Sequence, residues 1–238
     1  MWENIFYFIM VPMVYLAFAT LAIGIAFKLV IVFRSPNVKG SLGVFPRERL
    51  RLWGILKESL AVPAAYRKSR LFWFFIMAYH IAFVLLVLGH LELVWDIGLI
   101  HLIPHEVFLG SGAVGITLIA SVLYFFFRRF KSPYREISVP EDYLLLLLLF
   151  LAFFFGSHLH LADRFGMEAL HIPVEEYRAY LSSLVSFDPR LPVMITASPL
   201  FIILILHLFF ANLFLMLFPF SKMIHSVFVF FALHLKRK

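Results

Sequence analysis

At 238 residues, 63% of them hydrophobic and only 15% charged, the chain lies well outside the composition of a soluble domain, in which about a quarter of residues are charged. The net charge of +7 does not signal nucleic-acid binding, because the apolar runs leave no soluble unit to hold a duplex. The absence of cysteine excludes disulfides, thiolate metal sites, iron–sulfur ligation and a thiol nucleophile.

Several apolar runs exceed the roughly 18 residues needed to cross a bilayer core of about 30 Å. Lipid offers no partner for an unpaired backbone amide, so the spans are expected to be helices. The dyad alternation of a membrane barrel is absent. The expected fold is an all-α, five-helix transmembrane bundle, a single domain over 1–238 in the cytoplasmic membrane.

The first span covers about 5–33. It starts near Met1 and is too long for a signal-peptide core, so it is expected to be a retained helix. A basic segment, 34–70, follows. Within it PRERLRLWGILKESLAVP, Pro46 to Pro63, reads as an amphipathic helix, with Leu50, Trp53, Leu56 and Leu60 at helical spacing among Arg47, Arg51 and Lys57. It suits either anionic lipid or a docking partner. The second span, 71–95, contains HIAFVLLVLGH, in which His80 and His90 bracket nine apolar or glycine residues. Trp73 and Trp95 stand about 33 Å apart along it, as two interfacial anchors would. The third and fourth spans cover about 107–127 and 143–160. The fifth begins near Pro199 and stays apolar past His225. It is expected to run to 235 as one long helix, with Pro219 as a point of kinking.

Charge orients these spans. The segment from Arg34 to Arg70 holds nine Lys/Arg against two acids, and Arg128 to Asp142 holds four against three. Lys222 to Lys238 adds four more basic residues. On the other side, Glu3, Glu92, Asp96 and Glu106 are accompanied by no Lys or Arg, and His158 to Ser198 has three Arg against five acids. Cytoplasmic loops collect Lys and Arg, so the N-terminus is expected outside and the C-terminus in the cytoplasm.

Four of the ten histidines fall within or at the edge of spans: His80, His90, His207 and His225. Ionisable side chains are costly in hydrocarbon and mark function by default. The plain alternative is that each hydrogen-bonds a neighbouring helix. The pattern of the four favours function. The second and fifth spans run in opposite directions, so His80 shares the inner level with His225 and His90 the outer level with His207. Two histidine pairs at two depths suit two bis-histidine haems. Without C-x-x-C-H, such haems are b-type. Ten residues of helix cover about 15 Å and eighteen about 27 Å, a difference that tilt and side-chain length can absorb. Gly89 beside His90 would let a flat macrocycle approach the backbone, though ordinary helix packing also uses glycine there.

These features carry a resemblance. Five spans, His-x9-His in the second, His-x17-His in the fifth and LFPFSKMIH from Leu217 to His225 resemble the cytochrome b (gamma) subunit family of respiratory nitrate reductase. The same module occurs in the membrane cytochrome b of sulfite-reduction-linked and heterodisulfide reductase complexes. The resemblance implies a di-haem cytochrome b oxidising menaquinol or another quinol from the membrane pool, with a cytoplasmic iron–sulfur subunit as electron acceptor. Such a subunit does not itself act on the terminal acceptor. In the nitrate reductase branch a lysine near the outer haem is tied to quinol binding. No lysine occurs between Leu91 and Phe127 here, which favours the other branch. A quinol site is expected near His90, with His101 and His105, and more remotely His158 and His160, as nearby proton acceptors or simply solvated loop residues. The competing classes are a proton-relay transporter and a haem-free metal-binding membrane protein. The scarcity of acids within the spans and the lack of an inverted repeat speak against the transporter.

Overall fold

The computed structural model describes residues 2–34, 51–94, 112–166, 171–225 and 227–228. All regular structure among them is helical. The first long apolar segment forms α1 (Trp2–Met10) and α2 (Pro12–Arg34), separated by a turn at Val11. Pro12 has no amide to donate, which explains the break. Carbonyls at the break find partners elsewhere: Met10 O accepts from the Tyr180 hydroxyl and Ile9 O from Asn212 Nδ2. Next come α3 (Arg51–Ala61), α4 (Pro63–Lys68) and α5 (Arg70–Val94). Helix α3 occupies the stretch expected to be amphipathic, and Trp53 and Leu60 are exposed on it.

Helix α6 (Ala113–Arg128) is a sixteen-residue apolar helix in the third expected span, whose expected start at Val107 lies outside the described residues. Helix α7 (Pro140–Phe165) buries Leu145, Leu146, Leu148 and Leu149 in the core, while Leu144 and Leu147 are exposed. Two short helices, α8 (Val174–Val185) and α9 (Val193–Thr196), precede α10 (Phe201–Leu217). Among the described residues, four helical segments are long and apolar enough to cross a bilayer, against the five spans expected: Trp2–Arg34, Arg70–Val94, Pro140–Phe165 and Phe201–Phe220. The chain is a multi-pass membrane protein.

The fifth segment differs from the expected continuous helix. The α-helix stops at Leu217 and gives way to a 3-10 turn over Phe218–Phe220. Ser221 is extended (φ −93°, ψ 169°), and a second 3-10 turn covers Lys222–Ile224. Pro219 thus ends the helix instead of kinking it. Its ring is buried against Gly24 of α2, where a Cβ would come within 2.5 Å of it.

Helix α10 packs between α7 and α2, α7 packs on α6, and α6 on α5. Two clusters hold this arrangement. One joins Met10, Met13, Tyr180, Leu184, Ile195 and Leu204. The other joins Ala82, Leu118, Val122, Leu149, Phe153 and Phe214. Helices α5 and α10 do not pack along each other. His80 and His90 stand on one of these two helices and His207 on the other.

Candidate functional site

His80 and His90 lie on α5, His207 on α10, and His225 directly after the second 3-10 turn. All four rings share one feature. Each places Nδ1 against a backbone carbonyl: His80 on Ile76 O at 2.7 Å, His90 on Leu86 O at 2.8 Å, His207 on Ala152 O at 2.9 Å and His225 on Lys222 O at 3.1 Å. A carbonyl only accepts, so Nδ1 carries the proton and the neutral ring keeps a lone pair on Nε2. That tautomer is the one in which a ring nitrogen can bind a metal while the other is fixed by a carbonyl.

The structure brings one expected pair together. The rings of His90 and His207 lie with centres 6.3 Å apart and planes inclined at 35°. With a metal–nitrogen bond of about 2 Å and about 1 Å more to each ring centre, two imidazoles on one metal ion stand roughly 6 Å apart. No ring contact joins His80 to His225 among the described residues; the ring beside His80 is Tyr79, edge-on at 5.5 Å. The extended Ser221 between His207 and His225 means that ideal helical geometry does not fix their separation. Gly89 is buried beside His90. His101 and His105 lie outside the described residues, while His158 and His160 fall on the last turns of α7.

Packing around His207 involves a residue absent from the expected set. A Cβ at Gly156 would lie 2.8 Å from Cε1 of the His207 ring. Gly156 and Ala152, one helical turn apart on α7, let α10 come close enough for His207 to reach the Ala152 carbonyl. The signal is present in LAFFFG, where two small residues four apart interrupt a run of Leu and Phe.

Near the end of α5, two residues beyond His90, Glu92 is only 7% exposed. It lines an open surface pocket of about 210 Å³ with Leu93, Val94, Arg178 and Ser182, between α5 and α8. Tyr177 on α8 is pushed up to about 12 by burial and by the nearby Asp163 carboxylate.

Among the described residues no three His, Asp or Glu side chains converge to hold a metal ion by themselves. What they offer is one close pair of imidazoles, His90 and His207. No curated protein matches the chain. A family model for the nitrate reductase gamma subunit matches residues 63–238, a stretch that includes all four imidazoles described above, and the chain belongs to that family.

Proposed function

We propose that the chain is the membrane electron-transfer subunit of a respiratory complex, oxidising menaquinol or another quinol at the outer side and delivering electrons to a cytoplasmic iron–sulfur partner. Two b-type haems, one held by His90 and His207 and the other by His80 and His225, supply one-electron carriers at two depths. The observation that carries this reading is the common state of the four imidazoles. Every Nδ1 is committed to a carbonyl, leaving four Nε2 lone pairs for a metal in an apolar bundle.

The residues support particular roles. Leu86 O, Ile76 O, Ala152 O and Lys222 O fix ring orientation and raise the basicity of the ligating nitrogen. The lack of close backbone packing between α5 and α10 suits a flat macrocycle lying between their imidazoles. The pocket lined by Glu92, Arg178 and Ser182 is the candidate place for a quinol ring, because it begins two residues from His90. The distribution of Lys and Arg supports the outward placement of this end. Carrying an electron inward across a membrane potential involves about 2.3 kcal/mol per 100 mV, so the route conserves energy. The missing lysine between Leu91 and Phe127 supports the sulfite-reduction-linked and heterodisulfide reductase branch of partners.

The test is haem content. Purified chain is expected to carry two b-type haems, both extractable by acid acetone because no cysteine tethers them. A single haem, or none, overturns the reading.

A further inference from the structure

His225 stands where helical regularity has failed. Helix α10 ends at Leu217, and the ring follows two short 3-10 turns separated by extended Ser221. A free segment of this kind would not hold an imidazole in one orientation. Local contacts supply part of the restraint: the Ser221 hydroxyl donates to Phe218 O at 2.9 Å and accepts from Met223 N at 3.1 Å. Pro219 packs on Gly24 and Met223 on the core, but neither contact gives the segment a directional bond to another helix.

Lys222 does. Its Nζ donates to Asp142 Oδ2 at 2.9 Å, across 80 residues of sequence. The Asp142 side chain is only 4% exposed. The same oxygen accepts from Arg129 Nη1 at 3.0 Å and from the Val139 amide at 3.2 Å. Arg129 is itself held, with Nη1 on Ser138 Oγ at 3.0 Å and its carbonyl accepting from the Tyr143 hydroxyl at 2.9 Å. One carboxylate oxygen thus joins the end of α6, the start of α7 and the segment bearing His225. The residue it grips is also the one whose carbonyl accepts from His225 Nδ1. The side chain of Lys222 fixes the position of its backbone, and its backbone fixes the ring.

We propose that Asp142 and Lys222 are positioning residues for His225: the carboxylate–ammonium contact sets the orientation of that imidazole toward the inner haem. The proposal rests on the reading of His225 as a haem ligand. A buried carboxylate beside two cations is more than a helix cap requires, since Val139 N alone would be satisfied by an uncharged acceptor. Charge-assisted hydrogen bonds are short and directional, which suits them to fixing geometry.

The test uses the full chain in membranes or detergent. Haem per chain is measured together with the low-spin ferric EPR signals and the midpoint potentials. The inner signal is assigned as the one kept in His90→Ala. Lys222→Met leaves Asp142 with Arg129 and Val139, so the α6–α7 junction stays satisfied. It is expected to shift or abolish the inner signal and leave the outer one at its wild-type position. Asp142→Asn should act in the same direction, and Lys222→Arg, which restores a cation, should return the inner signal. Two haems with unmoved signals in Lys222→Met overturn the proposal. So does equal loss of both haems in Lys222→Met and Lys222→Arg alike, which would mark a general support of the bundle. A wild-type chain without haem overturns the underlying reading as well, so the two failures are distinguishable.

Discussion

Gly156 and the imidazole of His207 share one space: a Cβ at residue 156 would stand 2.8 Å from Cε1 and 2.9 Å from Nδ1 of that ring. Both atoms belong to a ring already tied to Ala152 O. Gly156→Ala should therefore force the ring from its carbonyl or push α7 from α10. Overpacking of this kind costs about 1–3 kcal/mol. The expected outcome is loss or a marked spectral shift of the haem assigned to His90 and His207, with the other retained. Haem spectra of the variant in membranes check this; an unchanged outer signal would show that the packing there yields without consequence.

The pairing itself makes a sharper prediction. His90→Ala and His207→Ala should each remove one and the same haem, because their rings face each other at 6.3 Å. His80→Ala and His225→Ala should each remove the other. Difference spectra of the four variants decide it. Cross-pairing, with His90→Ala and His225→Ala losing the same haem, would overturn the assignment by depth.

Much of this arrangement was legible in the sequence. The long apolar runs became helices because lipid leaves the backbone no alternative, and α5 covers 70–94 against an expectation of 71–95. The nearness of the His90 and His207 rings agrees with the level expected for antiparallel spans. The end of α10 was not legible in this way. The chain is largely apolar on both sides of Pro219, and a proline inside a span reads as a kink as readily as a stop. What stops it is the Pro219 ring seated against Gly24, nearly 200 residues earlier in the chain. The role of Gly156 was hidden for a similar reason. A glycine in a span reads as general helix packing until the residue opposite it is known, and here that residue is a histidine on another helix. Lys222 counted only as one more inner-side positive charge until Asp142 was found beside it.

Topology can be tested cleanly because the chain has no native cysteine. Ser182 is exposed on α8, and a cysteine there should react with a membrane-impermeant reagent from the outside only. A cysteine at Ser41, which lies outside the described residues, should react from the cytoplasm only. The same Ser182 lines the pocket near His90. A quinol-analogue inhibitor should therefore perturb the His90/His207 haem signal more than the other, and Ser182→Trp should weaken that effect by filling the pocket. A perturbation confined to the His80/His225 haem would place quinol at the wrong end of the bundle.

The last prediction concerns the partner. Helix α3 stands at the expected amphipathic stretch, with Trp53 65% exposed and Leu60 63% exposed seven residues apart, two turns along one face. Its end is fastened to the bundle, since Trp73 Nε1 donates to Ala61 O at 2.7 Å and Tyr66 packs edge-on to Trp73 at 5.2 Å. Trp73 is seven residues before His80 on α5, so the helix is anchored near the end at which electrons are expected to leave. Anionic lipid alone would account for an apolar face beside basic residues. A docking platform for the iron–sulfur subunit makes a different prediction. Charges at the rim of an interface act mostly on encounter rate and are screened by salt. Replacing Arg47, Arg49 and Arg51 with Ser should therefore reduce co-purification of the partner most clearly at low ionic strength, with the difference from the wild type shrinking as salt rises, while both haems remain. Arg47 and Arg49 lie outside the described residues. Normal co-purification of the triple variant across a salt series would leave α3 as a membrane anchor only.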